Sequence, residues 1–282
     1  MKLKELIKYY DELALSLNKE PDAIKILILE LSKFSHSEFY LKQEHIFSDE
    51  FVDNLKKKAN LYLYDNIPIE YIIGYTNFYG YDFIVNKDVL IPRRETEELV
   101  EKTLLLYDEY FTNSKVKVLD LGTGSGAIAI TLKKEEPLMD ITGVDISDKA
   151  LIVANKNKEL LKVDVKFYKS DWFLNVKDKF DIIISNPPYI RHDEEVCDIV
   201  LNEPEIALYG GKNGIIHYEN ILKKASEYLN DKGLIGFEHG NKQSPLIKDL
   251  ASKYLNDITI RQKKDLQGHD RFTFIGTGGI LK

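Results

Sequence analysis

Residues Ser185 to Ile190 read SNPPYI and follow an unbroken apolar run, Ile182-Ile183-Ile184. Proline brings no amide proton to a sheet ladder and biases its predecessor away from helix. Pro187 and Pro188 therefore end a strand abruptly and hold the carbonyls around them stiffly. A strand tip built this way offers fixed hydrogen-bond acceptors. Asn-Pro-Pro is on its own a plain turn signal, so its meaning depends on what precedes it.

What precedes it is a glycine-rich loop. In VLDLGTGSGAIAI, Gly122, Gly124 and Gly126 let the chain turn tightly and approach a ligand, ahead of a helix whose first amides point at that ligand. The third glycine comes two residues after the second, where the dinucleotide fingerprint needs three, and no Lys-Ser/Thr follows to hold a triphosphate. Both of those readings are disfavoured. Asp145 lies 23 residues after Gly122 at the end of GVDIS, where a carboxylate accepts from both hydroxyls of a ribose. Helix capping there suits Ser147 or Asp148 better. At the next strand end, SDWF, Asp171 is placed to accept from an adenine amino group and Trp172 to pack on the ring; a lone tryptophan is otherwise a core residue.

The elements that position these residues alternate. KVKVLDL, GAIAITLKKE, DITGVDIS, KALIVANKNKELL, DVKFYKS, FDIIISN, IIHYENILKKASEYLN, GLIGFEHG and QSPLIKDLASKYL predict a parallel sheet with helices on both faces. DITIRQKKDLQGHDRFTFIG holds two strands with too short a loop for a crossover helix, and so closes the sheet antiparallel. Upstream, Leu3, Leu6, Ile7, Tyr10, Leu13, Ala14 and Leu17 recur at helical spacing. Pro21 starts a second helix and Ser48 caps a third containing Phe51, Leu55 and Leu61. From Ile67 the β-branched and aromatic texture predicts a hairpin or short strands, which link this bundle to a helix beginning RRETEELV, with Glu95 and Glu97 at its positive end.

Composition narrows the class. With 282 residues, 44% apolar and 30% charged, the chain is an ordinary globular protein. A net charge of -7 argues against sequence-independent binding to nucleic acid, and Lys56-Lys57-Lys58 reads as a solvated helix face. A single cysteine, Cys197, forms no internal disulfide and reads as a small half-buried residue in a reducing cytoplasm. The charged N-terminus has no signal-peptide or membrane-span core. His192, His217, His239 and His269 show no metal-ligand spacing and read as loop or core histidines, and Asp193-Glu194-Glu195 as a solvated loop.

The glycine loop, Asp145, Asp171 and the double proline, in this order, resemble the seven-stranded methyltransferases that use S-adenosylmethionine. The resemblance implies that Asp120 and the loop Gly122-Thr123-Gly124-Ser125-Gly126 hold the methionine part, Asp145 the ribose, and Asp171 with Trp172 the adenine. In that superfamily an (Asn/Asp)-Pro-Pro-aromatic tetrad marks methylation of a planar nitrogen. Asn186, Pro187, Pro188 and Tyr189 match it in full. The implied chemistry is direct in-line transfer without metal: the Asn186 side-chain oxygen and Pro187 carbonyl accept the two N–H bonds of a poor, delocalised nucleophile at the cofactor's methyl. Pro188 removes a competing donor and Tyr189 stacks on the substrate. Adenine in DNA, guanine in ribosomal RNA and protein glutamine all remain substrates of such a tetrad.

Longer stretches distinguish among them. YIIGYTNFYGYDFIVNKDVLIPRRETEELV, VLDLGTGSGAIAI, SNPPYI, EPEIALYGGKNGI and DLQGHDRF resemble, nearly end to end, the bacterial glutamine methyltransferases of peptide chain release factors, the PrmC/HemK family. The resemblance implies an α/β fold: a seven-stranded, Rossmann-like methyltransferase domain (93–282), a small all-α N-terminal recognition domain (1–72) and a hairpin linker (73–92). It further implies S-adenosylmethionine as cofactor, S-adenosylhomocysteine as product and no metal. The partner would be a release factor, met by a cytoplasmic monomer with no stable hold on nucleic acid or membrane. Arg94 stands where the family usually has proline and Asn77 where it commonly has an acid. Glu203-Pro204 and Gly210-Gly211 fit the family pattern as turn and packing residues. The alternatives are a ribosomal-protein glutamine, a nucleic-acid amino group, or a binding module that has lost turnover.

Overall fold

In the computed structural model, which describes residues 1–112 and 114–282, the apolar spacing at the N-terminus becomes five helices: α1 (Leu3–Ser16), α2 (Pro21–Ser32), α3 (His36–Leu41), α4 (Asp49–Leu63) and α5 (Ile69–Ile73). Pro21 occupies the first turn of α2, where a missing amide proton costs nothing. Ser48 caps α4 by accepting from the Phe51 amide at 3.2 Å. Leu3, Leu6, Tyr10, Ile24, Leu27, Ile28, Leu55 and Tyr62 form a core of their own.

Two of these helices differ from expectation. The short α3 is set by a capping box in which Ser35 and Glu38 exchange hydrogen bonds. The β-branched run after Ile67, expected as strand, instead forms α5, which follows Pro68 and ends at Gly74 in the left-handed region. Burial of Ile69 overrides the local β preference there.

The chain divides into two compact units, residues 1–75 with 196–202 and residues 76–195 with 203–282. In the first, Ile199 packs on the helical core and the Asn202 side chain donates to the Asn66 carbonyl at 3.1 Å. Cys197 is exposed rather than half-buried.

The hairpin is present as β1 (Tyr75–Phe78) and β2 (Tyr81–Ile84). They are joined by a two-residue turn at Tyr79 and Gly80, both with positive φ, as a twisted hairpin requires. The second unit continues with α6 (Arg94–Tyr110), β3 (Val116–Leu121), α7 (Ala127–Glu135), β4 (Met139–Asp145), α8 (Asp148–Leu161), β5 (Lys166–Lys169) and β6 (Phe180–Ser185). After these come α9 (Ile216–Tyr228), β7 (Leu229–Glu238), α10 (Ser244–Tyr254), β8 (Thr259–Lys264) and β9 (Asp270–Gly276).

The seven strands lie in the order β5-β4-β3-β6-β7-β9-β8, parallel through β7, with β9 antiparallel to both its neighbours. The expected doubly covered sheet with an antiparallel close is therefore present. Its faces explain the apolar runs. Val118, Ile182 and Ile184 pack with residues of α6 and α7, whereas Leu119, Leu121 and Ile183 pack with residues of α9 and α10. A strand buried on both faces cannot alternate polar and apolar residues. Strand β7 begins at Leu229, earlier than expected, and bulges between the pairs Phe180–Leu229 and Ile182–Leu234.

Candidate active site

The chain reverses its direction of sheet growth at β3 and β6, which pair side by side, and the carboxyl ends of such strands are where open α/β sheets bind ligands. A cavity at those ends is lined by Gly122, Gly124, Asp145, Asp171, Trp172, Asn186 and Pro188. All seven were singled out from the sequence. Asp120, Thr123, Ser125, Gly126, Pro187 and Tyr189 do not line it.

The loop residues outside the lining hold the loop in shape. The Gly122 and Thr123 amides both donate to the Val144 carbonyl at 2.9 Å, and Gly126 donates to the Thr123 carbonyl at 2.8 Å. The Thr123 hydroxyl donates to Asp120 Oδ2 at 2.6 Å. The Ser125 carbonyl accepts from the fully buried Asn157 side chain at 2.9 Å. Asn157 also brackets Ile84 of β2, accepting from its amide at 2.7 Å and donating to its carbonyl at 3.0 Å.

Three observations fit the nucleoside cofactor implied above. Asp120 is wholly buried, and beside the bond from Thr123 and a backbone contact from Ala129 its carboxylate keeps acceptor positions suited to an ammonium group. Burial pushes its carboxyl up to about 7. Asp145 accepts one bond per oxygen, from the Gly124 amide at 2.8 Å and the Ser147 amide at 2.9 Å. The Ile146 amide also lies within range of this carboxylate, which with about four acceptor positions keeps room for a ribose hydroxyl. At Gly122, with φ +76°, a side chain would be strained and would point within 3.8 Å of the Trp172 ring. As expected, Ser147 rather than Asp145 caps α8, accepting from the Ala150 amide at 3.2 Å.

Trp172 itself has φ +46°, a left-handed conformation that a bulky residue adopts at a cost of about 1–3 kcal/mol. Its ring lies 5.2 Å from that of His217, which also lines the cavity. His217 is thus a wall residue and not merely a loop histidine. Burial lowers its pKa, which favours the neutral ring. Leu90, Ile146, Ile206 and Ala207 complete an apolar wall that no local motif announced.

At the tip of β6 every peptide bond is trans. The half-buried Asn186 donates from Nδ2 to the Thr96 hydroxyl at 3.1 Å, and that hydroxyl donates to Glu238 Oε2 at 2.7 Å. Burial pushes Glu238 up to about 7. The Tyr189 carbonyl accepts from Gln243 Nε2 at 3.0 Å, and Ile190 bonds through its amide to Leu208 and through its carbonyl to Gly210. A Cβ on Gly214, where φ is +69°, would lie 2.3 Å from the Tyr189 carbonyl. Tyr189 itself lines a second depression with Arg191, Gln243 and Arg271.

Glu203 is buried, accepts from the Ile91 amide at 2.9 Å and pairs with Arg93. That role exceeds the turn-making expected of it. Of the two unusual residues, Arg94 is the first residue of α6 and lines a depression with Glu97, Glu98 and Asp265, and Asn77 bonds to Asp82 across the hairpin at 3.0 Å. Among the described residues, no group of three or more His, Cys, Asp or Glu side chains is placed to hold a metal ion.

This sheet order, with a glycine loop and an acid at successive strand ends, defines the α/β class of methyltransferases. Residues 97–203 match the Methyltransferase small domain family. The fold is shared with a methyltransferase from Pyrococcus furiosus, 20% identical, with a TM-score of 0.54 over 83% of this chain and 100% of that one. Within the class, the chain is 36% identical to the release factor glutamine methyltransferase of Streptococcus pneumoniae over 99% of both sequences. It is also 36% identical to that of Bacillus subtilis over 95% of both. The chain belongs to the release factor glutamine methyltransferase family.

Proposed function

We propose that this enzyme methylates the side-chain amide nitrogen of the glutamine in the Gly-Gly-Gln motif of peptide chain release factors. S-adenosylmethionine, when bound, supplies a sulfonium methyl that passes to that nitrogen as the carbon–sulfur bond breaks; S-adenosylhomocysteine and one proton from the nitrogen are released. The observation that carries the reading is the placement of Asn186 and Pro188 in one cavity with Gly122, Gly124 and Asp145. That placement supports reading Asn186 and the glycine loop as parts of one reaction centre.

The chain's own residues do the positioning. Asp145 would hold the ribose hydroxyls, Asp171 and Trp172 the adenine, and Gly122 with Gly124 the amino-acid part, on a loop that Asp120, Thr123, Ser125 and Gly126 keep in shape. Asn186 Oδ1 and the Pro187 carbonyl accept the two N–H bonds of the substrate amide. They draw the nitrogen lone pair out of conjugation toward the methyl, which lowers the barrier by orientation and electrostatics. Tyr189, expected to stack on the substrate, instead lines the second depression with Arg191, Gln243 and Arg271. No residue need remove the proton before attack, because the nitrogen becomes acidic only after methylation.

In this reading the helical unit, residues 1–75 with 196–202, recognises the release factor, and residues 76–195 with 203–282 catalyse, in a cytoplasmic monomer. The described residues include no helix long and apolar enough to cross a membrane. The test offers methyl-labelled cofactor separately with release factor, ribosomal protein, ribosomal RNA and DNA, and locates the label by mass. Label on the Gly-Gly-Gln glutamine is expected. Label on nucleic acid or ribosomal protein, with none on the release factor, overturns the proposal.

A further inference from the structure

We infer that Glu238 and Thr96 are positioning residues that set the polarity of the Asn186 amide, so that Oδ1 rather than Nδ2 faces the reacting nitrogen. The inference rests on the methyl-transfer reading above and extends it to two buried residues outside the cavity lining.

An asparagine amide is nearly symmetric in shape, and its two ends differ only in accepting or donating. An acceptor site for a substrate N–H therefore needs something to forbid the flipped amide, which would present N–H to N–H. Here the restraint is a cluster of three side chains, in which Asn186 meets both Thr96 and Glu238. Glu238 is 1% exposed and Thr96 4% exposed, so water does not complete the network for them. The Thr96 hydroxyl gives its one proton to Glu238 Oε2 at 2.7 Å. It then has only lone pairs to offer Asn186, which must donate to it through Nδ2 at 3.1 Å. The Asn186 oxygen is thereby turned away from Thr96.

The direction of these hydrogen bonds depends on the ionised carboxylate. A protonated Glu238 can donate to Thr96, which frees the threonine proton for Asn186 Oδ1 and stabilises the flipped amide. The surroundings are mixed. Hydrogen bonds from Thr96 and from Asn186 itself, with Arg271, which is bonded to Asp265 at 3.1 Å, favour the ionised form, whereas Glu95 opposes it. Tyr189 lies within electrostatic range, and the Tyr218 hydroxyl donates to the Glu238 backbone carbonyl at 2.8 Å. His239, the next residue, bonds through its ring nitrogens to Gly240 and Thr273. Burial outweighs the favourable charge and brings Glu238 into the neutral range, so the ionised form is lost as pH falls through it.

The experiment compares wild type with Thr96→Val, Thr96→Ser and Glu238→Gln. It uses steady-state methylation of a release factor between pH 6 and pH 9 and calorimetric titration with S-adenosylhomocysteine. Thr96→Val keeps the shape and loses the hydroxyl. It should lower kcat about tenfold or more at pH 8, with product affinity unchanged, and Thr96→Ser should restore kcat. Wild-type kcat should rise with pH through the neutral range, and Glu238→Gln should flatten that rise. A Thr96→Val kcat within threefold of wild type overturns the inference. So does a loss that Thr96→Ser leaves unrepaired, or one matched by weaker product binding, since either marks a packing defect. If Glu238→Gln does not fold, the Thr96 pair decides alone. Failure of the methyl-transfer reading is distinct, because the wild type itself would then leave the release factor unlabelled.

Discussion

Asn157 Nδ2 lies 2.9 Å from the carbonyl oxygen of Ser125, so a buried residue of α8 fixes the middle of the glycine loop. The same side chain satisfies both backbone groups of Ile84. Asn157→Ala leaves three polar groups without their partner, at about 1–3 kcal/mol for each that stays buried and unpaired. We expect urea unfolding to show at least about 3 kcal/mol of lost stability. A change within the usual ±0.5 kcal/mol or so of a surface substitution would mean that water replaces the amide.

Asn186→Ala removes the side-chain acceptor at the cavity while leaving Asp145 and the glycine loop in place. We expect kcat on a release factor to fall about 100-fold or more. Calorimetric affinity for S-adenosylhomocysteine should change only a few-fold. Retained turnover would remove Asn186 from the reaction.

Asp145→Ala should act on the opposite half of the site. Loss of a charged acceptor for the ribose is expected to weaken S-adenosylhomocysteine binding by roughly 1.5–3 kcal/mol, about 10- to 100-fold. Unchanged affinity in the same titration would place the ribose elsewhere.

The Asp120 carboxyl shifts from 3.8 to about 7 because burial disfavours its charge. The folded chain therefore binds its proton more tightly than the unfolded chain, and stability conferred at low pH is lost as pH rises through that window. In the ligand-free enzyme, melting temperature should decline between about pH 4 and pH 7. Asp120→Asn, which cannot ionise, should reduce the decline. Equal slopes for the two proteins would show that Asp120 is not desolvated in solution.

How much of this was legible depended on sequence distance. The apolar run of β6, the three glycines and Asp145 are local patterns, and each lies at the predicted strand end. Thr96 and Glu238 are 142 residues apart, and nothing in either neighbourhood announces a shared hydrogen bond. Asn157 stands among the lysines and asparagines of α8, yet it is fully buried. Residues 69–73 misled for a different reason: isoleucine and tyrosine favour strand locally, and tertiary burial decides for helix.

The helical unit is assembled from two separate stretches of sequence, because residues 196–202 belong with residues 1–75. A product truncated at residue 75 would lack Ile199 against its core and the Asn202 bond to Asn66. The unit is thus not a cassette that recombination could exchange by one cut. Grafting the unit onto another methyltransferase would require transplanting the short segment beyond the tetrad as well, so the helical unit cannot be inherited independently of the chain that carries the tetrad.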